Sequence, residues 1–209
     1  IWVIVLREKE ELCIDIDCFN LKYTLECGQC FRWEVKSSEE NTYMGVVKDR
    51  VLKVKQKENK IFVYSNNTDS LEEVVRNYFD FNTNYEDIEA KIIEFDSHVK
   101  EALSNTSGIR ILNQDFFETL ISYIISANNN IPRISKSVKE ISKRYGKRIC
   151  FEDKEYYLFP TPEELKDVKI EEYRKCGIGF RDKYIYSTVH DILNGKLDKI
   201  NYNYLKGIG

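Results

Sequence analysis

CGQCFRW, residues 27–33, decides between three folds. A Cys-x-x-Cys pair can be a thiol redox motif when it opens a helix of a βαβ unit, or half of a zinc site when a second pair follows. Redox use requires a helix after Cys30, yet Phe31, Trp33 and Val35 are aromatic or β-branched and predict a strand. Zinc requires further ligands, yet Cys13, Cys18, Cys150 and Cys176 form no second pair, and His98 and His190 stand alone. Six irregularly spaced cysteines in a chain of 209 residues fit buried free thiols better than disulfide staples. The stretch therefore reads as a turn that enters a strand.

Its surroundings agree. LCIDID (12–17), LKYTLE (21–26), FRWEV (31–35), YMGVVK (43–48), VLKVK (51–55) and KIFVY (60–64) are short β-rich or alternating runs. Polar turns such as SSEENT and QKEN separate them, which predicts an antiparallel sheet. From residue 70 onward helices take over. SLEEVVRNYF opens with Ser70 three residues before Glu73, a capping box, and YEDIEAKIIEFDSHVKEAL carries apolar residues near helical spacing. Further helices are predicted at 114–127, 131–145, 162–168, 170–176 and 181–194, with Pro132 suited to a first turn and TPEE (161–164) a second capping box. The fold class is α+β: an N-terminal antiparallel sheet domain with flanking helices (9–108), then a helical domain (109–209).

Composition excludes several classes. With 42% hydrophobic and 13% aromatic residues the chain can bury a core. The longest apolar run, FFETLISYIISA (116–127), is interrupted by Glu118 and two serines and falls short of a membrane span. IWVIVL at the start lacks the basic lead and cleavage site of a signal peptide, so a reducing, cytoplasmic setting is expected. The net charge of −3 hides an asymmetry: residues 1–108 hold 14 basic and 21 acidic side chains, residues 109–209 hold 18 and 14. Between Arg133 and Arg148 lie seven basic side chains and one acid, Glu140. Such a stripe is either a solvated helix face or a surface turned to phosphates, and composition alone favours the former.

LKGIG (205–209) has the form of a helix-hairpin-helix turn, in which glycines expose backbone N–H groups to a DNA phosphate. A single Gly-x-Gly is weak, since any helix can end at glycine. The chain begins without Met and stops where a second hairpin helix would follow, so a fragment is expected.

Taken together, LECGQCFRWE (25–34), SANNNIPRIS (126–135), YYLFP with its capped helix (156–165), CGIGFRDKY (176–184) and LKGIG resemble the 8-oxoguanine DNA glycosylase and AP lyase family of the helix-hairpin-helix superfamily. The resemblance runs from about residue 12 to residue 209 and implies a helical glycosylase domain, incomplete at its C-terminus. It assigns the carbonyl of Gly28 to the N7–H of an extruded oxidised guanine, a hydrogen that guanine lacks; a buried mismatch there is worth ~1–3 kcal/mol. Cys27 and Cys30 become flanks of that glycine, Cys30 standing where the family often has serine. Asn128 would enter the gap left by the flipped nucleotide, Arg133 and Arg181 would address the orphaned cytosine, and Phe180 would wedge the stack where a tyrosine is common. Cytosine N3 and O2 accept, and arginine only donates. Without the resemblance, Asn130 reads simply as a helix cap, Phe180 equally as core, and the arginines as phosphate contacts or solvated groups.

The resemblance further implies phosphate contacts at Gly207 and Gly209. A lysine just beyond Gly209 would attack deoxyribose C1′, expel the base and leave a Schiff base for strand cleavage, with an aspartate farther on. No catalytic residue is expected within 1–209, no metal site, and no cofactor for the chemistry; a structural cation at the hairpin is allowed. The expected partner of this monomer is double-stranded DNA containing oxidised guanine opposite cytosine, in the nucleoid of a bacterium or the nucleus of a eukaryote, and no membrane. Alternatives are a non-catalytic damaged-DNA-binding module, an alkylated-base glycosylase of the same superfamily, and a thiol redox protein with a low-pKa Cys27 or Cys30.

Overall fold

The computed structural model describes residues 12–95 and 99–197, which separate into two compact units. Residues up to 29, 33–45 and 50–113 form the first; residues 30–32, 46–49 and those from 114 onward form the second.

The first unit is built on a five-stranded sheet in the order β1-β5-β4-β3-β2. Its strands are β1 (Leu12–Asp15), β2 (Trp33–Val35), β3 (Thr42–Val47), β4 (Arg50–Lys57) and β5 (Lys60–Ser65). The β1/β5, β4/β5 and β2/β3 pairs are antiparallel, as the alternating runs predicted. Val51, Val54, Ile61 and Val63 are fully buried, and Phe19, Phe79 and Phe81 close the core as a mutual aromatic cluster with centroids 4.9–5.7 Å apart. Helices α2 (Leu71–Tyr78), α3 (Tyr85–Phe95) and α4 (Val99–Thr106) complete the unit.

LKYTLE is not a strand. It forms helix α1 (Leu21–Glu26), with Asn20 as N-cap accepting from the Tyr23 amide at 2.9 Å. Leu21, Thr24 and Leu25 are buried while Tyr23 is exposed, so the i, i+3, i+4 face decided the structure over an alternation that fits either period. The capping box at Ser70 is absent too: that residue sits at φ +49° and its side chain makes no cap hydrogen bond. Glu72 and Glu73 still place acid at the positive end of α2.

The second unit packs α5 (Phe116–Ser126), α6 (Ile131–Tyr145), α7 (Pro162–Leu165), α8 (Ile170–Tyr173) and α9 (Asp182–Leu193) around Ile121, Ile125, Val138, Ile141, Leu165, Tyr173, Ile185 and Val189, all fully buried. Each large apolar side chain so buried contributes ~1.5–3 kcal/mol. The capping box at Thr161 and Glu164 forms as predicted, starting α7 at Pro162. One element was not anticipated, a hairpin of β6 (Arg148–Phe151) and β7 (Lys154–Tyr157). Its two turn residues, Glu152 and Asp153, have φ +48° and +59°. Two positive-φ residues make the turn that matches strand twist, and Glu-Asp is not the pair that advertises it. LKGIG, with Gly207 and Gly209, lies outside the described residues.

Candidate nucleic-acid interface

In the first unit the motif that opens the chain's logic is a turn at the end of α1. Gly28 has φ +90°, a conformation that side-chain-bearing residues rarely adopt, and is half-buried. Gln29 holds the turn: its Nε2 donates to the carbonyls of Thr24 (2.9 Å) and Arg110 (2.8 Å), and its Oε1 accepts from the Leu112 amide (3.0 Å). Arg110, itself 2% exposed, donates to the carbonyls of Thr83 and Asp17 and lies under the Tyr85 ring. The Gly28 carbonyl accepts no hydrogen bond among the described residues. A rigid backbone acceptor is thus presented without a side chain of its own.

Among the described residues no cysteine is in a disulfide. Cys27 is exposed and Cys30 half-buried, each a thiol; among the described residues no group of three or more His, Cys, Asp or Glu could hold a metal ion. Cys27 Sγ donates to the Thr24 carbonyl at 3.3 Å.

In the second unit Asn128, Asn129 and Asn130 do three different things. Asn130 is the N-cap of α6, its side chain accepting from the Arg133 amide at 3.0 Å. Asn129 closes the end of α5, donating from Nδ2 to the Ile125 carbonyl at 3.1 Å. Asn128 precedes both at φ +50°, exposed, its side chain serving neither helix. Arg133 is exposed one turn into α6, beside Ile131, which is 56% exposed.

CGIGFRDKY supplies the other half of this cluster. Gly177 (φ +77°) and Gly179 (φ +59°, ψ −135°) fold the chain so that Ile178 is buried, Phe180 is 61% exposed and Arg181 turns back to 7% exposure. Arg174 clamps the turn by pairing with the buried Asp182 at 2.6 Å. Arg181 Nε donates to the Ala127 carbonyl (3.0 Å), Nη1 to that of Ile178 (3.2 Å), and Nη2 to those of Ala127 and of Asn128 (3.1 Å). Its guanidinium carbon lies 4.6 Å from the Phe180 ring centroid.

Arg181 thus gathers the Asn128 carbonyl and the Phe180 ring on one side chain, while Arg133 sits in the first turn of α6. Arg181 is committed to main-chain carbonyls, whereas Arg133 has its side chain free among the described residues. Arg133, Lys136, Lys143 and Lys147 are exposed cations along α6 and just past it, while Arg144 and Arg148 pair with Glu140 and Glu155. Two residues of the opening motif had been passed over: Gln29, and Arg32, which pairs with Glu118 at 3.0 Å and donates to the Tyr157 carbonyl. Burial pushes the Glu118 carboxyl above the usual range and Arg32 pulls it back. Both residues lie inside the Gly-Gln-x-Phe-Arg-Trp run, which was the available signal.

Residues 11–120 match the family described as 8-oxoguanine DNA glycosylase, N-terminal domain. The N-glycosylase/DNA lyase of Saccharomyces cerevisiae is 32% identical over 203 residues, covering 91% of this chain and 52% of that protein. The apo-form of the Clostridium acetobutylicum 8-oxoguanine glycosylase/lyase superposes with a TM-score of 0.85 at 36% identity, covering 91% of this chain and 66% of that one. The same enzyme in complex with double-stranded DNA containing cytosine opposite 8-oxoguanine gives 0.80 at 38% identity, covering 86% and 61%. The chain spans about half the length of the curated relatives it matches.

Proposed function

The chain belongs to the 8-oxoguanine DNA glycosylase family, and from that premise we propose that it supplies the lesion- and gap-recognition surfaces of a base-excision glycosylase and lyase acting on 8-oxoguanine opposite cytosine. The observation that carries the reading is an exposed aromatic, Phe180, and an exposed left-handed asparagine, Asn128, held together on the buried guanidinium of Arg181. Extruding a nucleotide costs a few kcal/mol of unstacking, and a side chain that fills the gap offsets it. On this reading Phe180 holds the stack apart with its flat apolar face. Asn128 occupies the vacated space. Cytosine opposite the gap offers acceptors at N3 and O2, which suit the donor-only guanidinium of Arg133, whereas thymine presents N3–H to it.

The flipped base is assigned to Gly28. Its carbonyl accepts the N7–H that oxidation places on guanine and would face a lone pair in the undamaged base. The amine that attacks C1′ lies, in this proposal, C-terminal to Gly207 and Gly209, and the Schiff base it leaves is the route to strand cleavage. No helix among the described residues is long and apolar enough to cross a membrane, and the proposed substrate places the protein at the nucleoid or in the nucleus.

Borohydride trapping on a duplex with 8-oxoguanine opposite cytosine tests this. A covalent protein–DNA band that is missing with undamaged duplex is the expected result. Lesion-selective retention without a band would instead identify a non-catalytic reader, and no preference for the lesion would sink the proposal.

A further inference from the structure

We infer that Gln29 is a positioning residue for the choice between damaged and undamaged base: its carboxamide stiffens the Gly28 turn, so that the carbonyl there cannot draw back from a guanine. This rests on the proposed assignment of the flipped base to Gly28, and names the groups that make one backbone acceptor selective.

A carbonyl tells the two bases apart only if it stays in place. Against the N7–H of 8-oxoguanine it gains a hydrogen bond; against the N7 lone pair of guanine a loose carbonyl would shift away, and the penalty that rejects the base would fade. Gly28 supplies no stiffness of its own, since glycine restricts its backbone least of all residues. At φ +90° its carbonyl is anchored by no hydrogen bond among the described residues. The restraint comes from the next residue.

Both ends of the Gln29 carboxamide are engaged: Nε2 donates to the carbonyls of Thr24 (2.9 Å) and Arg110 (2.8 Å), and Oε1 accepts from the Leu112 amide (3.0 Å). Exchanging oxygen and nitrogen would set an acceptor against two carbonyls, so these partners admit one orientation. Residues 109–113, which supply two of the three partners, belong to no helix or strand, and their backbone groups are matched by side chains instead. The hydroxyl of Thr24, fully buried in α1, accepts from the Arg110 amide (3.2 Å), and the Tyr85 hydroxyl accepts from that of Ile111 (3.0 Å). The Arg110 guanidinium donates to the Thr83 (2.9 Å) and Asp17 (3.1 Å) carbonyls and lies 4.2 Å from the Tyr85 ring centroid, its buried Nε unpartnered among the described residues. A buried cation so held is costly. What it produces is a fixed backbone at 110–112 for Gln29 to grip.

The test is the affinity for three duplexes that differ at one position opposite cytosine: 8-oxoguanine, guanine, and a tetrahydrofuran abasic analogue with no base for Gly28 to meet. Gln29→Ala removes the grip, and Gln29→Glu keeps its shape but sets a carboxylate oxygen against two carbonyls. Each should lower the 8-oxoguanine-to-guanine affinity ratio about tenfold. Affinity for the abasic duplex should stay within about twofold, because nothing there reads the carbonyl. Gln29→Asn keeps the amide one methylene short and should lower the ratio about threefold; it replaces the other two variants if they do not fold. A ratio kept within about twofold, or a loss shared in full by the abasic duplex, makes Gln29 a residue of the fold alone and overturns the inference. A parent protein that binds the 8-oxoguanine and guanine duplexes equally removes the assignment of the base to Gly28 itself.

Discussion

At Gly28 one backbone angle carries both stability and recognition. A side chain at φ +90° costs ~1–2 kcal/mol, and a Cβ would also stand beside the acceptor that the oxidised base is proposed to meet. Gly28→Ala should therefore lower the unfolding free energy by that amount in denaturant titration and, separately, erase the preference for 8-oxoguanine over guanine duplex. The flanking thiols carry neither role, so Cys27→Ser with Cys30→Ser should leave lesion binding within about twofold; a larger loss would revive thiol chemistry at this turn. Burial pushes the Cys176 thiol up to about 11, whereas Cys13, Cys27 and Cys150 are exposed. Alkylation of the folded protein at mildly alkaline pH should label those three and spare Cys176 until denaturant is added. The glycine was legible from its motif. Gln29 was not, because the groups it binds, the Arg110 carbonyl and the Leu112 amide, lie 81 and 83 residues away along the chain.

Elements were legible where local chemistry and tertiary packing agreed. Helix α6 came out at the predicted bounds because Asn130, Pro132 and Gly146 mark both ends, whereas α1 was misread because six residues cannot separate a period of two from one of 3.6. The β6/β7 hairpin was hidden by an ungainly turn. Replacing Glu152-Asp153 with Asn-Gly should stabilise the protein by about 0.5–1 kcal/mol, since those residues take the required positive φ with less strain. Thermal unfolding reads the gain, and a drop would mean that the two acidic side chains contribute something beyond the turn. Conversely Asn130→Ala should cost ~1 kcal/mol by removing the cap of α6. In Asn128→Ala no helix cap is lost; the cost is that of holding alanine at positive φ.

Across the whole molecule, what the sequence made visible was a change of character: an acidic sheet-forming half and a basic helical half. Sheet order was beyond it, since β1 pairs with β5, far along the chain, through a contact that no local pattern specifies. The charge division makes a prediction that bears on how DNA is met. If the exposed cations of α6 track phosphates, each contact releases counterions and contributes about −0.9 to the slope of log affinity against log salt. The combined change of Lys136, Lys143 and Lys147 to alanine should then flatten that slope by at least one such contact. Lys22 and Lys57, exposed on the first unit, serve as the control and should leave it unchanged. Both effects should be the same on lesion and intact duplexes, because a phosphate carries no information about the base. A slope unmoved by the α6 changes would make that face a solvated one, and would leave Asn128, Phe180 and Arg133 to meet the duplex without help from the rest of the helix.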